Sequence, residues 1–483
     1  MNQEQLSQVK VWVQEHREEF LKNLSELVAI PSVSKAQDSR EEPFGEACAQ
    51  ALNYMKKLGL SFGLEPENFD AGCGQVWLRR DKKAAFGSGE EAAEGEEASD
   101  VTLGIWSHLD VVPEGSGWNY PPFQATYKNG FVIGRGVSDN KGPCVAIMYA
   151  LRCMKELKLT LPCSVALCYG TAEETGMEDI VGWTKKHAAP DYNLVADCGF
   201  PLCHGEKGIL RMIYELPLSE ENGEFTISAG EVVNMIPDYA DCRMSRDGET
   251  LKCMGQAAHV IEPEKGVSAI YGLADKVLSE GLALNEQQRE LFTFLKRMTE
   301  DGYGRAAGYC MEDKLSGALV GALTKIRTEE REEQGEKRRV VVMESDYRYP
   351  ILNDATGEKS DGACLIGKLT KLAAEYRINA RVGENSLPAY FAKDTPFVQS
   401  LLKSYREYTG SVTEPFVMSG GTYARKLPNA VAYGLTLEKH KRYSEPDWQE
   451  GTGSYHQANE CLSLDEMLES IVIYCKALSE LRF

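Results

Sequence analysis

VTLGIWSHLD, residues 101–110, is a short apolar run that stops at an imidazole and a carboxylate two positions apart. A run of this length reads as a buried strand, and an extended chain would project His108 and Asp110 from the same face. Four more stretches repeat the arrangement: GRGVSDNKGP (134–143), GTAEETG (170–176), LVADCG (194–199) and SYHQANE (454–460). In each, an apolar run ends at a metal-capable side chain and the chain then turns through Gly, Pro or another small residue. Two imidazoles, His108 and His456, with three carboxylates, Asp139, Glu174 and Asp197, make an oxygen-rich set. Such a set suits a pair of divalent ions better than a lone structural zinc. Three carboxylates and one bound hydroxide would balance two divalent cations.

The chain around these stretches alternates strand-like and helix-like patterns: VTLGIWS, the helix of GPCVAIMYALRCMKEL, CSVALCYG, the helix around EDIVGWTKKH, and YNLVA. That alternation predicts an α/β domain with a mostly parallel sheet and helices on both faces. Ligands of such sheets collect beyond the carboxyl ends of the strands, which is where the metal-type residues fall. Before this region, Leu6, Val9, Val13, Phe20, Leu24 and Leu27 recur at helical spacing up to Pro31, predicting one amphipathic opening helix over 4–28.

From about 205 the texture changes to alternating strands (ILRMIYELP, EFTISAG, RRVVVMESDYRY), two long helical patterns near 266–300 and a third over 356–377. We read an inserted α+β domain over 205–383. TPFVQSLLKSYREYTG and AVAYGLTL then resume the first style, so residues 1–204 and 384–483 form one discontinuous metal-binding domain. The stretch 84–99, AAFGSGEEAAEGEEAS, is too poor in apolar residues to bury itself and reads as an acidic flexible loop.

At 483 residues the chain is long enough for two domains. With 73 acids against 53 bases the net charge is −20, which repels phosphate backbones and anionic membranes, so no nucleic-acid or membrane partner is expected. The polar opening MNQEQLSQVKVW is no signal peptide, no stretch is apolar for about 18 residues, and the 14 cysteines never form a C-x-x-C pair. A cytoplasmic location follows as the expectation, with most thiols acting as small buried hydrophobes.

Within the candidate site, Asp139 is the expected bridge between two ions, which at about 3.5–4 Å apart need a shared carboxylate and a shared water. Asp110 is placed to orient His108. Glu173 and Glu174 diverge at a strand end, so Glu174 is assigned to metal and Glu173 to proton transfer.

The combination H-x-D, G-R-G-x-x-D-x-K-G, E-E-T-G, a late D and a later H resembles the co-catalytic two-metal peptidases and amidohydrolases. That family includes aminoacylases, glutamate carboxypeptidase, acetylornithine deacetylase and succinyl-diaminopimelate desuccinylase, and SHLDVVPEGSGW, SDNKGP and SGGTYAR look like its dipeptidase V branch. The resemblance spans LSELVAIPSVS to YHQANE. It implies one ion on His108, Asp139 and Asp197, another on Asp139, Glu174 and His456, and Glu173 as general base beside Asp110. It also implies a lid: GQAAHVIEPEKG supplies His259 to polarise the scissile carbonyl, EVVNMIPD supplies Asn234, and DYRYP supplies Arg348. SGGTYAR, with Gly420, Gly421 and Thr422, resembles a catalytic-domain loop that meets the substrate carboxylate. Asn140 departs from the pattern, standing where a second acid is common.

The function so implied is hydrolysis of the peptide bond of dipeptides or very short peptides, with zinc as the expected metal and manganese or cobalt as alternatives. The large insert implies a monomer. Two other readings stay open: an N-acyl amino acid deacylase acting on acetyl or succinyl groups, and a metal-holding interaction protein without catalysis.

Overall fold

The computed structural model describes residues 1–70, 72–80, 101–244, 248–333, 336–353, 356–437 and 452–483. The acidic stretch 84–99 lies outside the described residues. The chain divides into two compact units, one of Met1–His204, Tyr390–Phe416 and Thr422–Phe483, the other of Gly205–Ala389 with Val417–Gly421.

The first unit is α/β. Strands Ser164–Gly170, Thr102–His108, Tyr192–Val195 and Ala430–Ala432 lie side by side in that order and run parallel. Cys73–Leu78 and Glu65–Glu67 extend the sheet antiparallel beyond Ser164–Gly170. Alternate side chains along the strands serve two faces. Leu103, Ile105, Val165, Leu167 and Leu194 join the main core with residues of the helices Lys141–Glu156 and Leu464–Glu480. Trp106 points the other way, edge-on to Trp183 at 5.3 Å and to Tyr423 at 6.1 Å. Burial on both faces is why these strands read as unbroken apolar runs and not as alternating ones. The helix Lys141–Glu156 is buried almost all round, as expected of an element enclosed between a sheet and other helices.

From Thr102–His108 the chain crosses to Ser164–Gly170 on one side and later returns to Tyr192–Val195 on the other. The strand order therefore reverses about Thr102–His108, and loops leaving adjacent parallel strands diverge there to form a crevice. His108, Glu173, Glu174 and Asp197 all sit at or just past the carboxyl ends of those three strands.

Two boundaries differ from the sequence expectation. The opening segment is two helices, Gln3–Glu15 and Arg17–Val28, broken at His16. The His16 ring stacks on Trp12 at 3.9 Å and its Nδ1 lies 2.7 Å from the Trp12 carbonyl, a local side-chain bond that competes with helix continuation. The return from the second unit falls at 389/390, past the expected 383/384, because strand Asn379–Ser386 pairs with Gly208–Pro217.

The second unit is α+β. Its antiparallel sheet runs Thr250–Met254, Tyr239–Arg243, Thr226–Ala229, Val320–Glu333, Glu336–Tyr349, Gly208–Pro217 and Asn379–Ser386. Helices Ala269–Ser279, Glu286–Thr299 and Ala363–Glu375 contribute Leu273, Phe292, Leu295 and Leu369 to a second core. Val320–Glu333 escapes sequence reading because its outer half, IRTEEREE, is charged. Ion pairs accommodate those charges: Arg327 meets Glu344 on the neighbouring strand, and Arg331 reaches past that strand to Glu215. Gly420 and Gly421, expected in the catalytic domain, belong to the second unit, since the Lys207 N–H donates to the Met418 carbonyl at 3.0 Å and ties that segment to the insert.

All 14 cysteines are free, and the Cys198 thiol contacts the Gly199 carbonyl. Among the described residues no helix is long and apolar enough to cross a membrane.

Leu167 is fully buried in the sheet, whereas Val412 is 87% exposed. Leu167→Ala is expected to cost about 2–5 kcal/mol and to lower the denaturant midpoint, while Val412→Ala changes stability by less than about 0.5 kcal/mol. Equal midpoints for the two variants would contradict this placement of the core.

Candidate metal centre

Asp139 stands between the two imidazoles. Its Oδ1 lies 2.8 Å from His108 Nε2, and its Oδ2 lies 3.0 Å from His456 Nε2. His456 Nε2 is also 3.0 Å from Glu174 Oε1, and His108 Nε2 is 4.0 Å from Asp197 Oδ2. The five expected ligands thus come together around one carboxylate whose two oxygens face opposite groups. Ligand atoms of His108, Asp139 and Glu174, and likewise of His108, Glu173 and Asp197, lie within 4.8 Å of one another. His108 is buried, while the His456 side chain is 46% exposed and forms the open rim.

His456 occupies this position with φ +61, a left-handed conformation that costs a non-glycine residue about 1–2 kcal/mol.

Asp110 does more than its expected role. The His108 Nδ1 lies 2.9 Å from the Asp110 backbone carbonyl and 3.4 Å from its carboxylate, so the main-chain oxygen is the nearer partner of the ring. The buried carboxylate accepts the backbone N–H groups of Glu173 at 3.1 Å and Glu174 at 3.0 Å. One acid therefore fixes both the histidine strand and the glutamate turn. Asp179 supports the same turn from behind, accepting the N–H groups of Thr171 at 2.6 Å and Ala172 at 2.8 Å and the Tyr423 hydroxyl. Asn140 has a similar office: its Nδ2 donates to Asp197 Oδ1 at 3.0 Å and to the Ala196 carbonyl at 2.7 Å, directing the aspartate. Sequence reading missed Asp179 entirely, because two adjacent acids opening the helix EDIVGW look like an ordinary solvated first turn.

Glu173 and Glu174 diverge as expected. Glu174 turns to His456, whereas Glu173 Oε1 is buried without a hydrogen-bond partner among the described residues. Burial pushes the Glu173 carboxyl well above the usual carboxylate range, with His108 opposing and Asp197, Glu174 and Asp110 adding to the rise. Burial also raises Glu174, followed by repulsion from Asp139. Burial disfavours charge on the imidazoles, yet the surrounding acids outweigh it. His108 lies well above its ordinary value through Asp110 and Asp139, and His456 is pushed up to about 10 through Asp139 and Glu174. Crowded carboxylates that draw protons onto both histidines, with one acid oxygen unpaired, form a donor set fitted to divalent cations.

The other expected residues lie in the second unit, apart from Thr422. His259 and Asn234 are neighbours on paired short strands, with the Asn234 amide nitrogen 3.3 Å from His259 Nε2. The Ile261 N–H donates to His259 Nδ1 at 3.2 Å, so the neutral ring carries its hydrogen on Nε2. Arg348 Nη2 lies 2.9 Å from Asp346 Oδ2. Thr422 is buried, and its Oγ1 accepts the Ala424 N–H at 3.1 Å to cap the turn Tyr423–Lys426.

Residues 104–480 match peptidase family M20/M25/M40, and the chain belongs to that family of metallopeptidases. A Staphylococcus haemolyticus relative provisionally named a dipeptidase is 28% identical, the alignment covering 97% of this chain and 98% of that one. Two solved structures share the fold. Human carnosine dipeptidase 1 has TM-score 0.62 at 16% identity, with 98% of each chain covered. The aminoacylhistidine dipeptidase of Vibrio alginolyticus has TM-score 0.58 at 12% identity, with 96% of each covered.

Because both histidines are raised above 6.5, the metal-free site holds protons on them at neutral pH, and a cation must displace these. Metal affinity is expected to climb as pH rises from about 6.5 toward 10, with protons released on binding. The His456 shift stabilises the metal-free fold below pH 6.5, a contribution lost as pH rises through about 10, and the upward shift of His108 acts in the same direction. Calorimetry of zinc uptake in buffers of different ionisation heat checks the release, and heats that do not vary with buffer would refute it.

Proposed function

We propose that the protein hydrolyses the peptide bond of dipeptides or very short peptides, using two divalent ions held by His108, Asp139 and Asp197 and by Asp139, Glu174 and His456. The observation that carries this reading is the placement of Asp139, one oxygen toward each imidazole, with the unpartnered Glu173 Oε1 in the same cluster. When bound, the ions would polarise the scissile carbonyl and lower the pKa of a shared water. We take zinc as the first metal to test, then manganese and cobalt.

Glu173 Oε1 accepts a proton from the attacking water and hands it to the departing amine. Its raised proton affinity suits both halves of that transfer, since a carboxylate of ordinary acidity would return the proton poorly. Asp110 keeps the general base and the adjacent ligand in fixed register by binding both of their N–H groups. His259, with its hydrogen on Nε2, donates to the substrate carbonyl as charge develops there. Asn234, beside that ring, adds a substrate contact, Arg348 forks onto the terminal carboxylate, and the Gly420–Gly421–Thr422 segment offers backbone contacts to it. We assign the protein to the cytoplasm as a monomer.

Dipeptides are preferred to N-acyl amino acids as substrates because the Staphylococcus haemolyticus relative, aligned over nearly its whole length, carries a dipeptidase name.

Glu173→Ala is expected to lower kcat by at least about 10³-fold while metal content stays at the wild-type level. Retained turnover would remove Glu173 from its role. In a panel run on chelated protein restored with each metal, free dipeptides should be cleaved at least tenfold faster than N-acetyl or N-succinyl amino acids. The reverse order would establish the deacylase reading, and no cleavage with any metal would leave only the interaction protein.

A further inference from the structure

Three loops of the first unit carry His108, Asp139 and His456, and they converge on one buried ion pair that the chemistry above does not use. Arg135 is 1% exposed and Glu460 0%, with Arg135 Nη1 2.7 Å from Glu460 Oε2. The other Nη hydrogens go to main-chain carbonyls, while the buried Nε has no hydrogen-bond partner among the described residues. Nη1 donates to Gln457 at 3.2 Å, and Nη2 donates to Pro113 at 3.3 Å and Glu114 at 3.2 Å. Its plane lies 5.2 Å from the Trp118 ring centre. The Glu460 carboxylate in turn accepts the N–H groups of Gly136 at 3.1 Å, Ser138 at 2.9 Å and Asp139 at 3.0 Å. Arginine therefore grips the loops that follow His108 and His456, glutamate grips the loop of Asp139, and their ion pair joins the two grips.

Stability alone is a poor reason for this pair. The desolvation of two buried charges offsets most of their attraction, and apolar residues of similar volume often hold a fold equally well. What apolar residues cannot do is satisfy three convergent N–H groups, which would be left buried without acceptors. The N–H bond from Asp139 itself sets the orientation of the residue whose side chain must face two ways. Glu460 also lies four residues beyond His456, in a turn where His456 and Asn459 both adopt positive φ and where Asn459 Oδ1 accepts the Asn119 N–H at 2.7 Å. One carboxylate thus sets the position of a shared ligand through its backbone and of a second ligand through its own loop.

We propose that Glu460, held by Arg135, is a positioning residue that fixes Asp139 and His456 for the second of the two ions. The proposal rests on the two-metal reading. It predicts an asymmetric effect, because the His108 and Asp197 side keeps its own supports in Asp110 and Asn140, whereas His456 depends on the Glu460 turn.

The test is cobalt(II) titration of the full chain, followed by calorimetry and by the visible absorption of the bound ion, on wild type, Glu460→Gln and Arg135→Lys. Wild type should take two equivalents. Each variant should bind one equivalent within threefold of wild-type affinity and the other at least tenfold more weakly, with altered visible bands for the second only. A purely structural role would lower the melting temperature and leave the ratio of the two affinities unchanged. Wild-type binding of both equivalents by Glu460→Gln, or loss of fold in both variants by circular dichroism, would overturn the proposal while leaving the two-metal reading intact. Fewer than two equivalents in wild type would overturn both.

Discussion

One carboxylate facing two imidazoles is the constraint on which the rest of the structure turns. Asp139 can present its two oxygens to His108 and His456 only if three segments, the last more than 300 residues along the chain from the other two, arrive at one place with errors of a few tenths of an ångström. Burying Glu173 and Glu174 there is unfavourable: loss of solvent raises their proton affinities first, and repulsion from the neighbouring acids adds to the rise. The mixed sheet, parallel at its centre, and its enclosed helix bear that cost through apolar burial, and a bound cation would relieve it, so metal binding and fold stability are linked.

The loops are held in a consistent way. Asp110 binds the N–H groups of Glu173 and Glu174, Asp179 those of Thr171 and Ala172, and Glu460 those of Gly136, Ser138 and Asp139. In each case a buried acid accepts backbone hydrogens in a turn that has no strand or helix partner to satisfy them. Charge-assisted bonds of this kind are stronger than neutral ones, and they fix the main chain while leaving the outward side chains free for chemistry. Acids here divide into those that face the reaction and those that hold the chain that carries them.

The sheet supplies the common origin of these turns. Strand order reverses about Thr102–His108, so adjacent strand ends send their loops apart and leave a crevice at the carboxyl edge. His108, Glu173, Glu174 and Asp197 come from three neighbouring strands at that edge. Asp139 and His456 come from outside the central strands, and for this reason they need the additional fastening that Arg135 and Glu460 provide.

The sequence alone determined the strand and helix pattern of the first unit and the change of texture at the second, and it named the five candidate residues that the fold brings together, because apolar runs ending in His, Asp or Glu leave a local trace. It misread what depends on partners distant in the chain. The break at His16 comes from a ring stacked on Trp12, and the charged strand Val320–Glu333 is stabilised by neighbours that lie across the sheet. The late return at residue 389 follows from pairing with Gly208–Pro217. Asp179, Arg135 and Glu460 carry no local signature either, since a buried acid that holds a loop looks in sequence like any surface acid. Only the tertiary structure decides which carboxylates face the imidazoles and which meet N–H groups, because that choice is set by what lies opposite each side chain after the loops have closed.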